Sequence, residues 1–236
     1  METYKAFLDR IGSFEKEELW LGEGHFRGSA AIAQKVDENN RFRPFYGDTV
    51  VFNLDDGMKK EVEGIVDRVY AAAAECFCER LRPDTFHMTL HDLSNSPVWE
   101  AIATEVCENE RAAAKIAERI CAQKIRMRSK FIFNMVNTSL VLGLYPADEE
   151  AYRKLMRLYH LFEDIKKLSY PLTPHITLGY YNIHGFNAQS ARKLEAVVKE
   201  LNKNVLEVEL DTRNLFYQRF VSMDDYTSIF ALVSGR

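Results

Sequence analysis

The chain has 236 residues, of which 47% are hydrophobic and 12% aromatic, enough to bury the core of one large domain or two small lobes. A formal net charge of −4 excludes an overall positive field that would draw in long nucleic acid, so any phosphate ligand must be held locally. The N-terminus mixes acids and bases without a signal-like apolar stretch, and no apolar run approaches membrane-spanning length, which predicts a cytoplasmic protein with no membrane partner.

In chain order, a short helix is expected at about 3–11, with Gly12 as its stop. The loop-rich segment that follows reads Gly22, Gly24 and Gly28 as turns. They are not followed by G-K-[ST] and no strand precedes them, which excludes a P-loop and a dinucleotide fingerprint. "TVVFNL" (49–54) is a strand, and a helix follows that carries Val62, Ile65, Val66, Val69, Ala73 and Phe77 at helical spacing. After a strand containing His87, Ser96 and Pro97 read as the cap and first position of a helix toward about residue 121, followed by a strand at 124–133. The order then restarts. A strand at 138–145 leads to Asp148 as the cap of a helix with Leu155, Leu158, Phe162 and Ile165 on one face. A strand with His175, a helix after Asn187 and strands at about 205–212, 215–222 and 226–232 complete the chain. Cys76, Cys78, Cys107 and Cys121 lie in helix-like stretches without C-x-x-C spacing and are expected to be buried, reduced thiols.

This is β-α-β-α-β written twice: the first strands open 89 residues apart and the histidines stand 88 apart. A period this long excludes a solenoid and predicts an α+β protein of two similar lobes related by an approximate twofold axis. Residues 1–46 stand outside the repeat, as an N-terminal extension packed on the core. Residues 47–236 form the bilobal domain, with lobes at about 47–135 and 136–236 and exchange of strands between them left open.

The repeat carries a motif. "FHMTL" (86–90) and "PHITL" (174–178) each spell His-x-Thr-Leu, which chance placement of 6 histidines makes improbable. In a strand, residues i and i+2 share a face, so His87 with Thr89, and His175 with Thr177, each present an imidazole beside a hydroxyl. Brought together, the two pairs suit phosphodiester cleavage. One neutral histidine takes a proton from the attacking oxygen, the other gives one to the leaving oxygen, and the threonines donate to the non-bridging phosphoryl oxygens. This chemistry needs no metal or cofactor, and the sequence offers no H-E-x-x-H, cysteine cluster or carboxylate pair at ligand spacing.

A strand-borne H-x-[ST] motif repeated about 90 residues apart in duplicated α/β lobes resembles the 2H phosphoesterase superfamily, which includes the bacterial RNA 2′,5′-ligase/cyclic phosphodiesterase proteins. The likeness covers residues 49–236. It implies antiparallel sheets around a central cleft, with His87 and His175 as the acid/base pair and Thr89 and Thr177 binding the substrate phosphate. It further implies a small nucleotide or short oligonucleotide substrate with a 2′,3′-cyclic or 2′-5′ linkage. "RFRPFYGDTVVFNL" (41–54) resembles the corresponding segment of a bacterial 2H subgroup that lends no substrate.

Strand parity also puts His91 on the face of His87 and Tyr181 on that of His175, making both candidates for lining the cleft. Lys124, Arg126, Arg128 and Lys130 alternate along one strand, as a solvated face or as a phosphate-contacting rim. Arg41 and Arg43 carry the same two readings. His25, His160 and His184 receive no role. The competing functional reading is a non-catalytic nucleotide-binding module that uses the same cleft, and the pattern leaves oligomeric state open.

Overall fold

The computed structural model of the protein describes residues 2–16 and 24–233; Gly22, one of the expected turns, lies outside them. The helices follow from their caps and apolar stripes. Helix α1 (Tyr4–Lys16) buries Phe7 and Ile11 and runs through Gly12 instead of stopping there. The last turn has its own anchor, because Phe14 stacks on Phe133 at 4.8 Å between ring centroids. That contact outweighs the roughly 1 kcal/mol that an interior glycine costs. Asp55 accepts a hydrogen bond from the Met58 amide to start α2 (Asp56–Ala73), which buries Val62, Val66, Val69 and Ala73. Phe77 lies beyond its end.

The reading of Ser96-Pro97 as a helix start is corrected. Ser96 ends a strand, its hydroxyl accepts from the Val98 amide, and α3 (Ala103–Ala117) begins seven residues later. Local capping chemistry was present there but served a turn. Asp148 and Asn187 do cap α4 (Glu149–Phe162) and α5 (Ala188–Leu201), accepting from the amides of Ala151 and of Gln189 and Ser190. Of the cysteines, Cys76 and Cys78 are buried, whereas Cys107 and Cys121 are exposed. Cys107 faces outward because α3 turns Val106, Asn109, Ala113 and Ile116 inward.

The strands are β1 (His25–Phe26), β2 (Tyr46–Asn53), β3 (His87–Ser96), β4 (Lys124–Met135), β5 (Ser139–Pro146), β6 (His175–Tyr180), β7 (Phe186–Asn187), β8 (Glu207–Asp211), β9 (Leu215–Ser222) and β10 (Asp225–Ala231). Strands β1 and β7 form a small ribbon. The other eight make one curled antiparallel sheet in the order β10-β9-β2-β3-β6-β5-β4-β8. Its centre is the β3–β6 contact, paired at Met88 and Ile176, and this is where the two halves of the repeat meet. The halves of the sheet do not follow the halves of the chain: β4, from the first repeat, pairs with β5, and β9, from the second, pairs with β2. Behind the sheet, α2 packs on α5 and reaches β6, while α3 and α4 pack on β3. The opposite face of β3 and β6 is left open for a cleft. Among the described residues no helix is long and apolar enough to cross a membrane.

Candidate active site

The antiparallel neighbours β3 and β6 carry His87 and Thr89, and His175 and Thr177, into one cleft of about 360 Å³. Both motif strands are built the same way. Burial alternates through His87-Met88-Thr89 and His175-Ile176-Thr177, with Met88 and Ile176 fully buried behind. The ladder then slips. Between Thr89 and His91 strand β3 advances two residues while β2 advances one, and β6 does the same against β5 between Thr177 and Gly179. The extra residue of each bulge is the motif leucine, Leu90 or Leu178, buried in the core.

These bulges reverse parity, and they correct the expectation for two candidates. His91 does not line the cleft: it is buried behind the sheet, 5.0 Å from the ring of Tyr159, with Nδ1 donating to the Asp92 carbonyl. Tyr181 is fully buried as well, against Phe26, Phe77 and Phe186. In their place Asp92 and Tyr180 line the cleft, 88 residues apart as the histidines are. The repeat partner of His91 is Gly179, where a Cβ would lie 2.9 Å from the Tyr70 hydroxyl and 3.1 Å from Phe77.

The tautomers follow from the hydrogen bonds. His87 Nδ1 lies 2.7 Å from the Thr85 carbonyl, and His175 Nδ1 lies 2.7 Å from the Thr173 carbonyl. A carbonyl only accepts, so each Nδ1 carries the proton and each neutral ring keeps a bare Nε2 for the cleft. The residue two before each histidine is a threonine in both repeats, a signal the sequence contained, although the contact uses its backbone. Burial pushes His87 down to about 4, against the opposing effects of the Thr85 carbonyl and Asp92, while proximity to His175 lowers it further. Burial also lowers His175; the Thr173 carbonyl and Asp92 raise it, and Lys35 lowers it. Burial thus favours the neutral form of both imidazoles.

Sequence reasoning missed three neighbours. Asp92 is the carboxylate that acts on both rings, and it accepts a 2.8 Å hydrogen bond from the Tyr170 hydroxyl. Tyr226 of β10 packs 4.9 Å from the His87 ring. Lys35 reaches the cleft from the N-terminal segment, beside Ala31, Gln34 and Phe45. No strand or motif signalled Lys35, because its place depends on how that segment folds back. The basic row on β4 is paired instead: Lys124 with Glu209, Arg126 with Asp148, Arg128 with Glu207 and Lys130 with Glu15, none of them lining the cleft. Arg41 pairs with Glu79 and Arg43 donates to the Ala33 carbonyl. Among the described residues no three metal-ligating side chains come together.

No protein-family model matches the sequence, and no curated protein does. Solved structures do. The chain is similar to ATU0111 of Agrobacterium tumefaciens, a conserved protein of unknown function, at 14% identity and a TM-score of 0.66, covering 88% of this chain and 94% of that one. Escherichia coli LigT in its apo form matches at 16% identity and a TM-score of 0.47, covering 80% and 99% of the two chains. The same protein solved with 3′-AMP matches at 14% identity and 0.48, covering 79% and 96%. The likeness to ATU0111 establishes a shared fold for nearly the whole chain.

Proposed function

We propose that the protein is a metal-independent cytoplasmic phosphodiesterase of the 2H type, acting on a nucleotide or short-RNA diester with a 2′,3′-cyclic or 2′-5′ linkage. In this reading residues 1–46 serve the body formed by 47–236. The observation that carries it is the pair of imidazoles, each fixed as the Nδ1-H tautomer by the carbonyl two residues before it, each beside a threonine hydroxyl in one cleft. An anionic diester between the rings favours the imidazolium form against the burial that disfavours it, so substrate binding promotes the acid. One bare Nε2 then takes the proton of the attacking water as the new P–O bond forms. The other ring, protonated, delivers its Nε2 proton to the leaving ribose oxygen as the old P–O bond breaks. Thr89 and Thr177 donate to the phosphoryl oxygens.

The test is an activity screen with chelator present over 2′,3′-cyclic nucleotides and 2′-5′ and 3′-5′ dinucleotides. Turnover with a bell-shaped pH profile is expected, and undiminished turnover by His87→Ala or His175→Ala protein rules the mechanism out. A second reading, nucleotide binding without turnover, draws on the burial that holds both rings neutral. Nucleotide binding with no hydrolysis anywhere on the panel would favour it.

A further inference from the structure

Lys35 is a cationic cleft residue that the acid/base scheme leaves unused. It enters from the segment before the repeat, just after a single 3-10 turn (Ala30–Gln34) that Ser29 caps by accepting from the Ala31 amide. Its Nζ is held 5.3 Å from the ring centroid of Tyr180 and 5.4 Å from that of Phe45. Among the described residues it makes no ion pair, although Asp92 acts on it through space. A partly buried ammonium over two rings, with no contact ion pair among the described residues, is placed to meet an anionic group of a ligand in the cleft.

We propose that Lys35 binds a second anionic group of the substrate, separate from the scissile phosphate, so that the preferred substrates are diesters that also carry a terminal phosphate. The substrate class deepens the phosphodiesterase reading and rests on it, but the second anion subsite is a binding property that can be measured alone. The separation follows from strand geometry. The scissile group lies between the histidines, where Thr89 and Thr177 serve its oxygens; Tyr180 stands beyond the bulge, two ladder steps or roughly 7 Å past Thr177 along β6, and the ammonium over its ring acts on His175 through space. The Lys35 ammonium, held over the buried ring of Tyr180, offers a cation to the next part of the ligand. The segment before the repeat thereby sets specificity for a site whose acid/base groups it does not contain.

The experiment compares 3′-AMP with adenosine 3′,5′-bisphosphate by calorimetry on the full chain, as wild type, Lys35→Gln and Lys35→Arg. Wild type is expected to bind the bisphosphate about tenfold more tightly, Lys35→Gln to bring the two within about twofold, and Lys35→Arg to keep most of the preference. Equal affinities in wild type overturn the inference. Equal weakening of both probes by Lys35→Gln also overturns it, by assigning the ammonium to the first phosphate. Absence of hydrolysis in the activity screen counts against the phosphodiesterase reading and leaves the binding comparison standing.

Discussion

The His87 and His175 halves of the cleft share one backbone device and differ in what surrounds it. In each, a carbonyl two residues upstream fixes the imidazole, the threonine follows, and a bulge on the motif leucine turns the next strand residue away from the cleft. The residue then delivered to the cleft is Asp92 in one half and Tyr180 in the other. The supports differ too. The Thr85 hydroxyl donates to the carbonyl of Arg82, whose amide and guanidinium are bonded to Asp224 in the β9–β10 turn. Around Thr173, Arg10 of α1 donates to the Leu172 carbonyl at 3.0 Å and to the Thr173 hydroxyl at 3.3 Å, with Glu2 pairing its other side. Both halves keep an oriented imidazole and a hydroxyl, which the proposed chemistry requires twice. The flanks diverge, and the flanks are what distinguish one end of a bound ligand from the other.

The largest expected effect tests whether the halves have separate duties. His87→Ala and His175→Ala should each lower kcat by about 10²–10⁴-fold, and the double variant should lose little more, because an acid without a base completes no turnover. Additive losses would show that the two rings do not work as a unit. Next, Thr89→Val and Thr177→Val should each cost about 10²-fold in kcat with folding intact, measured beside thermal unfolding. A large inequality between them would reveal which half holds the charge that develops on the phosphorus oxygens.

A pH series probes the burial that the halves share. Both folded histidines lie below their unfolded value near 6.5, so the unfolded chain binds more protons between the two values. Their contribution to stability is therefore present above about pH 6.5 and is lost as pH falls below it, for His87 over the window down to about 4. The wild-type Tm should fall over that window, and His87→Asn should flatten the fall. Inorganic phosphate should raise Tm more at pH 5 than at pH 8, by pairing with imidazolium. Asp92→Asn removes a carboxylate that raises both rings, so the acid limb of the kcat/KM profile should move to lower pH.

The smallest effect concerns the supports. Arg10→Ala should cost about 1–2 kcal/mol of stability by urea unfolding and lower kcat only a few-fold. As a positioning residue for the His175 half, Arg10 should change the pH–rate profile when removed, and Arg10→Lys should restore part of it. A stability loss with an unmoved profile would make it a structural brace alone.

Periodicity and capping made most elements legible. Asp148 reads as a cap from its own chemistry, the helix after Asn187 follows from its apolar stripe, and the 88-residue spacing pairs the motifs. Where reading failed, the deciding contact was distant. Gly12 looked like a stop because Phe133, which holds the next turn, is more than a hundred residues away. His91 and Tyr181 were placed on the cleft face because period-two alternation is local, whereas a bulge exists only against a partner strand.

The sequence by itself determined the composition of the two His-x-Thr pairs, the duplication and the spacing that relates them, since each is written in contiguous residues. The tertiary structure alone decided that β4 and β9 cross to the opposite halves of the sheet, and that Asp92 and Tyr180 replace His91 and Tyr181 in the cleft. It also decided that Lys35 arrives from outside the repeat. The physical reason is common to all three: each depends on register or close approach between segments far apart in the chain, which no local pattern of hydrophobicity encodes.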